Sequence, residues 1–560
     1  MGFSLEYRTS APGRNCALVA VMIALWAIAA AASGAHGGGS LIVLDRPSSV
    51  SPDRLSQAGA MIVRDMGSWQ IAVADAGALE NLDRLGIDYT VVDDTIEGKS
   101  YYTVFPLRRV PPLRTPGTGE LSKYGRILYS AGSVFLVESP AAAAEMLPGV
   151  GFDIARVFLR PVRTSRTVEL LVPHRAPAQA DSLIQAMVDA VSVAEIDATV
   201  QRLQDFVTRT ARHDSCQAAA NWIFAQFQSF GLDSVYFQNF DPMNKDNVVA
   251  VRLGVTQPQR YVIIGGHYDS VSNEAYIAPG ADDNASGTAC VLECARIMSS
   301  YTFDKTIVFI AFGAEEQGLQ GSEFYASQAA ANGDDIFAMV NVDMIGYLEG
   351  GDILDLDIVK NVSSTWIRDR AMAVAAVYVP GLPVVDGNYL LGSGSDQQSF
   401  WDHGFDAISL YEDTDQYSPW IHTIADTIGL SYNSPLLAEN STRVAVALMA
   451  DLAGTRGFPI AVGDALPALL SLDQNVPNPF NPRTMIRFSV QPPGGVASLV
   501  IYDVVGRTVL SLLDNENVSG TKTVWWDGRG ERGQIVPSGV YFYRLTVGRV
   551  NTTRKMILLR

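Results

Sequence analysis

Apolar and polar positions change rhythm three times along this chain. Between residues 38 and 172 short alternating runs occur twice. The first set is Met61-Ile-Val-Arg64, Gln70–Ala74, a helical stretch Gly77–Leu85, and Gly86–Val92. The second is Arg126-Ile-Leu-Tyr129, Val134–Glu138, Ala141–Leu147 and Gly151–Val157, with Gly86 and Gly151 matching at an offset of 65. Period-two alternation suits half-buried strands, so each copy reads strand, strand, short helix, strand. A proline-rich stretch, Phe105–Gly119, joins the copies. No catalytic constellation appears here, and the region fits either a chaperoning or inhibitory prodomain or an accessory packing domain.

After a polar linker, Arg175–Asp181, the rhythm becomes helical. Ile196, Val200, Leu203 and Val207 fall on one helix face, and a second helix, about Ala218–Phe230, stops at Gly231. Then come short apolar runs, Asn247–Val251, Tyr261–Gly265, Thr306–Phe312 and Met339–Val342, alternating with helical stretches such as Ser286–Met298. That alternation predicts an α/β domain with a mostly parallel sheet. Past Gly463 the texture changes again. Pro477-Asn-Pro-Phe-Asn-Pro482 opens a tail with strand candidates Thr484–Val490, Ala497–Tyr502, Thr521–Trp526, Val540–Val547 and Lys555–Leu559. This pattern predicts a small β-sandwich. The expected organisation is residues 1–36, 38–172, 186–455 and 468–560.

The first 36 residues have the form of a secretory signal. Arg8 and Arg14 precede an apolar run, Cys16–Ala32, with Ser33 and Ala35 placed as at a cleavage site. At 560 residues several domains are expected. The net charge of −18 argues against nucleic acid as a partner. Cys216, Cys290 and Cys294 remain beyond the signal, an odd number without a CxxC pair, so a thiolate zinc site is not expected.

The candidate chemistry sits at strand ends: Gly265-Gly-His-Tyr-Asp269, Gly280-Ala-Asp-Asp-Asn284, Ala314-Glu-Glu316, Asn341-Val-Asp343 and, later, Trp420-Ile-His-Thr423. In open α/β sheets ligands lie at the carboxyl ends of strands. His267 and Asp269 alternate onto one side, so Asp269 is expected to take the second ring proton of His267. Asp282 and Asp283 precede a helix, where one residue caps and another is left for metal. Glu315 and Glu316 diverge at a strand end, one toward metal and one toward substrate. Asp343 is a carboxylate closing a buried strand, costly unless paired or metal-bound. Mixed His and carboxylate ligands suit zinc, with cobalt or manganese compatible. Among the other histidines only His403 rivals His422, and it is expected at the surface or behind the ligands.

In this order the five segments closely resemble the M28 peptidase family of di-zinc aminopeptidases over about residues 186–455. The resemblance implies a mostly parallel, twisted sheet flanked by helices. It implies two Zn2+, with His267 and Asp343 on one, Glu316 and His422 on the other, and Asp282 bridging them, joined to Asp283 by a cis peptide. Glu315 is then the general base, with Asp269 supporting His267. The implied substrates are peptides with a free N-terminus, and Met344 and Ile421 match apolar lining positions. One departure stands out. Around Gly392-Ser-Gly-Ser-Asp396 the family carries a cysteine-flanked tyrosine that helps hold the oxyanion. Here Tyr389 or Tyr411 is left to substitute, and Gln397 replaces a histidine. Glutaminyl cyclases share this fold with one zinc, and an inactive surface binding protein is a further alternative.

The tail also resembles a known type. Pro477–Pro482, Ile501–Arg507, Ser538–Tyr543 and Lys555–Arg560 are similar to the Ig-like C-terminal sorting domain of the type IX secretion pathway. With the signal, this implies a secreted or surface-held bacterial protein that meets the secretion machinery through its C-terminus.

Overall fold

The computed structural model describes residues 39–45, 52–109, 114–160, 180–241, 246–274, 276–388, 394–456, 470–472, 474–504, 506–547 and 550–559. The expected signal, His36, His174, Tyr389, Gly392 and Ser393 lie outside them. The chain divides into two compact units. One comprises residues up to Ser100 with Val157–Pro161, the other Tyr101–Arg156 with Val162 onward.

The first unit holds a four-stranded sheet of β1 (Ser40–Asp45), β2 (Met61–Asp65), β3 (Trp69–Ala74) and β4 (Thr90–Asp93), in the order β2-β3-β1-β4. Its helix Ala76–Leu85 begins where the Asp75 side chain accepts from Ala78 N and ends at Gly86, whose φ of 64° suits glycine. The second unit opens with the same plan: β5 (Tyr101–Pro106), β6 (Arg126–Ala131), β7 (Val134–Glu138) and β8 (Phe152–Val157), ordered β6-β7-β5-β8. The duplication is therefore larger than the alternating runs suggested. Each copy gains a strand at its start, β1 or β5, and β5 takes in Phe105 and Pro106 from the stretch expected to be a linker. That strand was hidden because it is buried along its length, leaving no alternation to read.

The large domain is built on eight strands: β9 (Ser234–Gln238), β10 (Asn247–Arg252), β11 (Gln257–His267), β13 (Lys305–Phe312), β14 (Asp335–Val342), β15 (Leu356–Lys360), β16 (Val384–Asp386) and β17 (Ala407–Tyr411). Short β12 (Thr302–Phe303) pairs β18 (Thr455–Arg456) beside them. The order is β16-β15-β17-β14-β11-β13-β10-β9. The centre, β13-β11-β14-β17, is parallel, whereas β10 with β13 and β9, and β15 with β17, run antiparallel. The sheet is thus parallel at its heart and mixed toward its edges.

Helices cover both faces. Ala285–Met298, Val193–Gln204 and Pro435–Ala453 pack on one side over Val262, Ile264, Phe309 and Val340. Gln320–Asn332 and Gln397–Asp402 cover the other, over Ile263, Ile310 and Met339. Val207 does not continue its helix. The helix ends at Gln204, and Val207 is exposed with φ 68°.

The tail contains β19 (Leu470–Leu472), β20 (Thr484–Tyr502), β21 (Thr508–Trp526), β22 (Gly539–Val547) and β23 (Val550–Leu558). The two strands expected at 484–490 and 497–502 are one long β20, whose register with β21 shifts between Val490 and Gly495. A bulge of this sort bends a strand without ending it. In place of two separate sheets, the five strands form one hydrogen-bonded network around Phe488, Leu499, Trp526 and Tyr543.

Candidate metal centre

The four central parallel strands each deliver an acidic or imidazole group at their carboxyl ends. His267 ends β11, Asp343 follows β14, Glu315 and Glu316 follow β13, and Glu412 follows β17. His422 and Asp283 arrive on loops. Three non-glycine residues at these positions adopt left-handed backbone: Ala314 (φ 57°), Met344 (φ 48°) and His422 (φ 53°). Such backbone is costly away from glycine and persists where surrounding structure imposes it.

The two histidines face one carboxylate. His267 Nε2 lies 3.3 Å from Asp283 Oδ1, and His422 Nε2 lies 3.1 Å from Asp283 Oδ2. His267 Nε2 is also 3.4 Å from Asp343 Oδ1 and 3.9 Å from Glu315 Oε2. His422 Nε2 is 2.9 Å from Glu316 Oε2. Ligand atoms of His267, Glu315 and Asp343 lie within 4.8 Å of one another, as do those of His267, Asp283 and Glu316.

Asp282, expected between the metals, is not there. Its Oδ1 accepts from Gly346 N at 2.9 Å, and it pairs with buried Glu412. Burial pushes both acids well above the carboxylate range, helped by the charge of Asp426 at Asp282 and by that of Asp282 at Glu412. The cis peptide is likewise one residue further on, at Asp283–Asn284. The local reason is the cap. Asn284 accepts from Gly287 N and donates to Val342 O, at 2.8 and 2.9 Å, so the helix cap is filled and Asp283 is left facing the histidines.

Asp269 sits beside His267 but not in the expected bond. Its Oδ1 is 3.7 Å from His267 Nδ1, too long for a hydrogen bond; the ring nitrogen lies 3.3 Å from its backbone oxygen. Asp269 instead accepts from the amides of Glu315 and Glu316, at 3.1 and 3.3 Å. Asp426, which the sequence reading missed, does the same for Asp282 and Asp283. Fully buried Arg209 was missed too. Its guanidinium donates to the carbonyls of Leu203, Tyr268, Pro279 and Gly280, tying the end of β11 to the loop that carries Asp283. His403 is buried rather than exposed; it caps the helix Gln397–Asp402 and lies 2.9 Å from Glu323 of the helix Gln320–Asn332. Tyr411 donates to Met344 Sδ at 2.8 Å.

The electrostatics suit a cation. Burial pushes Glu316 up to about 8 against the pull of His422, and raises Glu315 well above its ordinary value. Burial works against charge on His422, yet Glu316 and Asp283 hold it at about 10. Burial would also raise Asp283, but His267 and His422 hold it well below the carboxylate range. Glu316 Oε1, Asp343 Oδ1 and His422 Nδ1 are buried without hydrogen-bond partners. A cluster of buried acids stabilised by protonated histidines, with donor atoms left over, is the chemistry of a divalent-metal site.

Comparison with known proteins agrees. Residues 247–448 match the sequence profile of peptidase family M28. A "probable zinc metalloprotease" of Pyrenophora teres f. teres is 33% identical over 31% of this chain and 41% of its own length. A "probable leucine aminopeptidase" of Arthroderma otae is 28% identical over 51% of this chain and 80% of its own. The chain thus spans about two fifths of the first curated relatives it matches. In fold it is similar to the LapA aminopeptidase of Legionella pneumophila, with TM-score 0.51 at 20% identity, covering 63% of this chain and 98% of that one. Over residues 247–448, then, this chain is similar to peptidase family M28.

Proposed function

We propose that the chain is a secreted metallo-aminopeptidase that removes N-terminal residues from peptides at a two-zinc site. One observation carries this: the two oxygens of Asp283 each face a different histidine, as a carboxylate shared between two ions would. His267 and Asp343 would hold one zinc, Glu316 and His422 the other, with Asp283 common to both. The carboxylates of Asp283, Glu315, Glu316 and Asp343 offset the charge of two divalent ions.

Bound zinc supplies Lewis-acid polarisation of the scissile carbonyl and acidifies water. Glu315 moves the proton. Its amide is fixed to Asp269, its carboxyl lies beside His267, and its burial favours holding a proton for transfer to the departing amine. Asp269 orients the whole Glu315–Glu316 turn, so proton carrier and ligand share one anchor. Met344 and Ile421 border the ligands Asp343 and His422 and favour an apolar substrate side chain.

The test is hydrolysis of free and N-acetylated aminoacyl amides, with and without chelator. Activity confined to the free amine, abolished by chelator and by Glu315→Gln, is expected. Hydrolysis retained in Glu315→Gln rules the mechanism out, and equal cleavage of the acetylated substrate rules out an aminopeptidase.

Export rests on the signal-like first 36 residues and on the sorting-like motifs of residues 468–560. Residues 468–560 fused to a periplasmic reporter should move it to the surface of a bacterium with an intact type IX pathway. Equal release when that pathway is deleted would remove the proposal.

A further inference from the structure

Strand β8 gives the second repeat two faces. Phe152 and Ile154 pack into the repeat's own core with Val104, Leu121 and Val137. Side chains alternate along a strand, so Asp153 between them points the other way. That direction is toward the metal centre. A Cβ on Gly394 would come 2.6 Å from Asp153 Oδ2, so the bare glycine backbone makes room for the carboxylate. Just past β5 the same repeat places Leu107 against Met344, Tyr417 and Ile421, and Arg109 donates to the carbonyl of Ile421. Met344 directly follows the ligand Asp343, and Ile421 directly precedes His422. The repeat therefore borders both ligand segments.

Asp153 is a half-buried acid that lacks a counter-charge. Its Oδ1 accepts from Ile154 N at 2.7 Å. Among the described residues no arginine or lysine pairs with it. The charges that bear on it are those of the metal centre. Burial pushes the carboxyl up to about 6 against the pull of His422, with Asp283 and Asp343 adding to the rise. Asp153 acts in turn on Glu315 and on Tyr417. A carboxylate withdrawn from water without a partner is destabilising, and an arriving cation offsets that. Asp283, Glu315, Glu316 and Asp343 already match two divalent ions. Asp153 adds a further negative charge facing the same space, still open to a cation.

We infer that Asp153 receives the α-ammonium of the substrate, so that the second repeat completes the peptidase site, with Leu107 walling the adjacent apolar pocket. This rests on the peptidase reading above. A free N-terminus brings the one positive charge that every unblocked peptide carries, whatever its side chains. An acetylated N-terminus brings none and leaves Asp153 unpaired beside a neutral amide. Selection for free N-termini then comes partly from a residue outside the strand ends that carry the ligands. Asp153 binds and orients the substrate and moves no proton.

The test compares Asp153→Asn and Asp153→Glu with the unmodified full chain, all zinc-loaded and matched for zinc content. Two readouts are taken. One is kcat and KM on a leucyl anilide. The other is calorimetric binding of leucinol, which has the amine but no scissile bond, and of 4-methylpentan-1-ol, the same skeleton without the amine. Asp153→Asn should raise KM and the leucinol Kd by about 10- to 100-fold, the worth of a hydrogen bond to a charged group. The kcat and the binding of the amine-free alcohol should stay near those of the unmodified chain, as when binding common to ground and transition states is lost. Asp153→Glu keeps the charge and should lose less. An unchanged leucinol Kd in Asp153→Asn overturns the proposal. So does equal weakening of leucinol and the amine-free alcohol, which would make Asp153 merely structural, and so does a greater loss in Asp153→Glu than in Asp153→Asn. If no protein hydrolyses the anilide while leucinol binding still depends on Asp153, the amine site stands and the peptidase reading falls.

Discussion

Asp426 accepts the amide protons of Asp282 and Asp283 on its two carboxylate oxygens, at 2.9 and 3.1 Å. Asp269 treats Glu315 and Glu316 in the same way. Two buried acids therefore fix two acidic dipeptides by their backbones, leaving the side chains of Asp283, Glu315 and Glu316 free to face the histidines. Asp426→Ala is expected to weaken zinc binding by about 10- to 100-fold while the ligands remain. Zinc titration against a competing chelator measures it.

Asp282 and Asp283 separate cleanly by substitution. Asp283→Asn removes charge from the group facing both histidines and should reduce bound zinc below two per chain and abolish turnover. Asp282→Asn alters a pair already raised toward the protonated form and should keep both ions. Metal analysis of the two purified proteins decides between them, and the reverse result would restore Asp282 as the shared ligand.

Zinc should stabilise the fold. Ions that bind only the native state add stability by mass action, about 2.7 kcal/mol at a hundred times the dissociation constant. The melting temperature should fall on chelation and recover with added zinc. In His422→Ala the zinc-dependent increment should shrink.

A second acidic cluster lies away from the metal centre. Burial, with Asp357, Asp413 and Asp352 nearby, pushes Asp355 up to about 6. A carboxyl raised above its unfolded value stabilises the native state below the unfolded pKa and loses that contribution as pH rises through the folded one. Asp355→Asn should therefore raise the melting temperature at pH 8 relative to the unmodified chain, with the gain vanishing near pH 4. Melting curves across that range test the sign.

The domain type was legible because buried parallel strands leave continuous apolar runs, and β11, β13 and β14 fall on three of them. His267, Glu315, Glu316, Asp343 and His422 were legible because each stands at a strand end or in a distinctive short segment. Asp283 against Asp282 was not. Adjacent residues of one type differ only by backbone direction, and that is set by the Asn284 cap and by Asp426, which is 143 residues away from Asp283. Arg209 was hidden for a related reason, since its partners are four carbonyls, which every residue carries. β5 was masked by its proline-rich surroundings and by burial on both faces.

The matching strand orders β2-β3-β1-β4 and β6-β7-β5-β8 have a consequence for how this chain can vary. Each copy forms its own sheet, and in the second the described chain runs on past the third strand in that order. That outgoing segment is Leu107–Arg109. A frame that is complete without its outgoing segment lets those few residues change with little cost to folding. Length and side-chain size there become an adjustable dial on the neighbouring pocket, separable in inheritance from the metal ligands themselves.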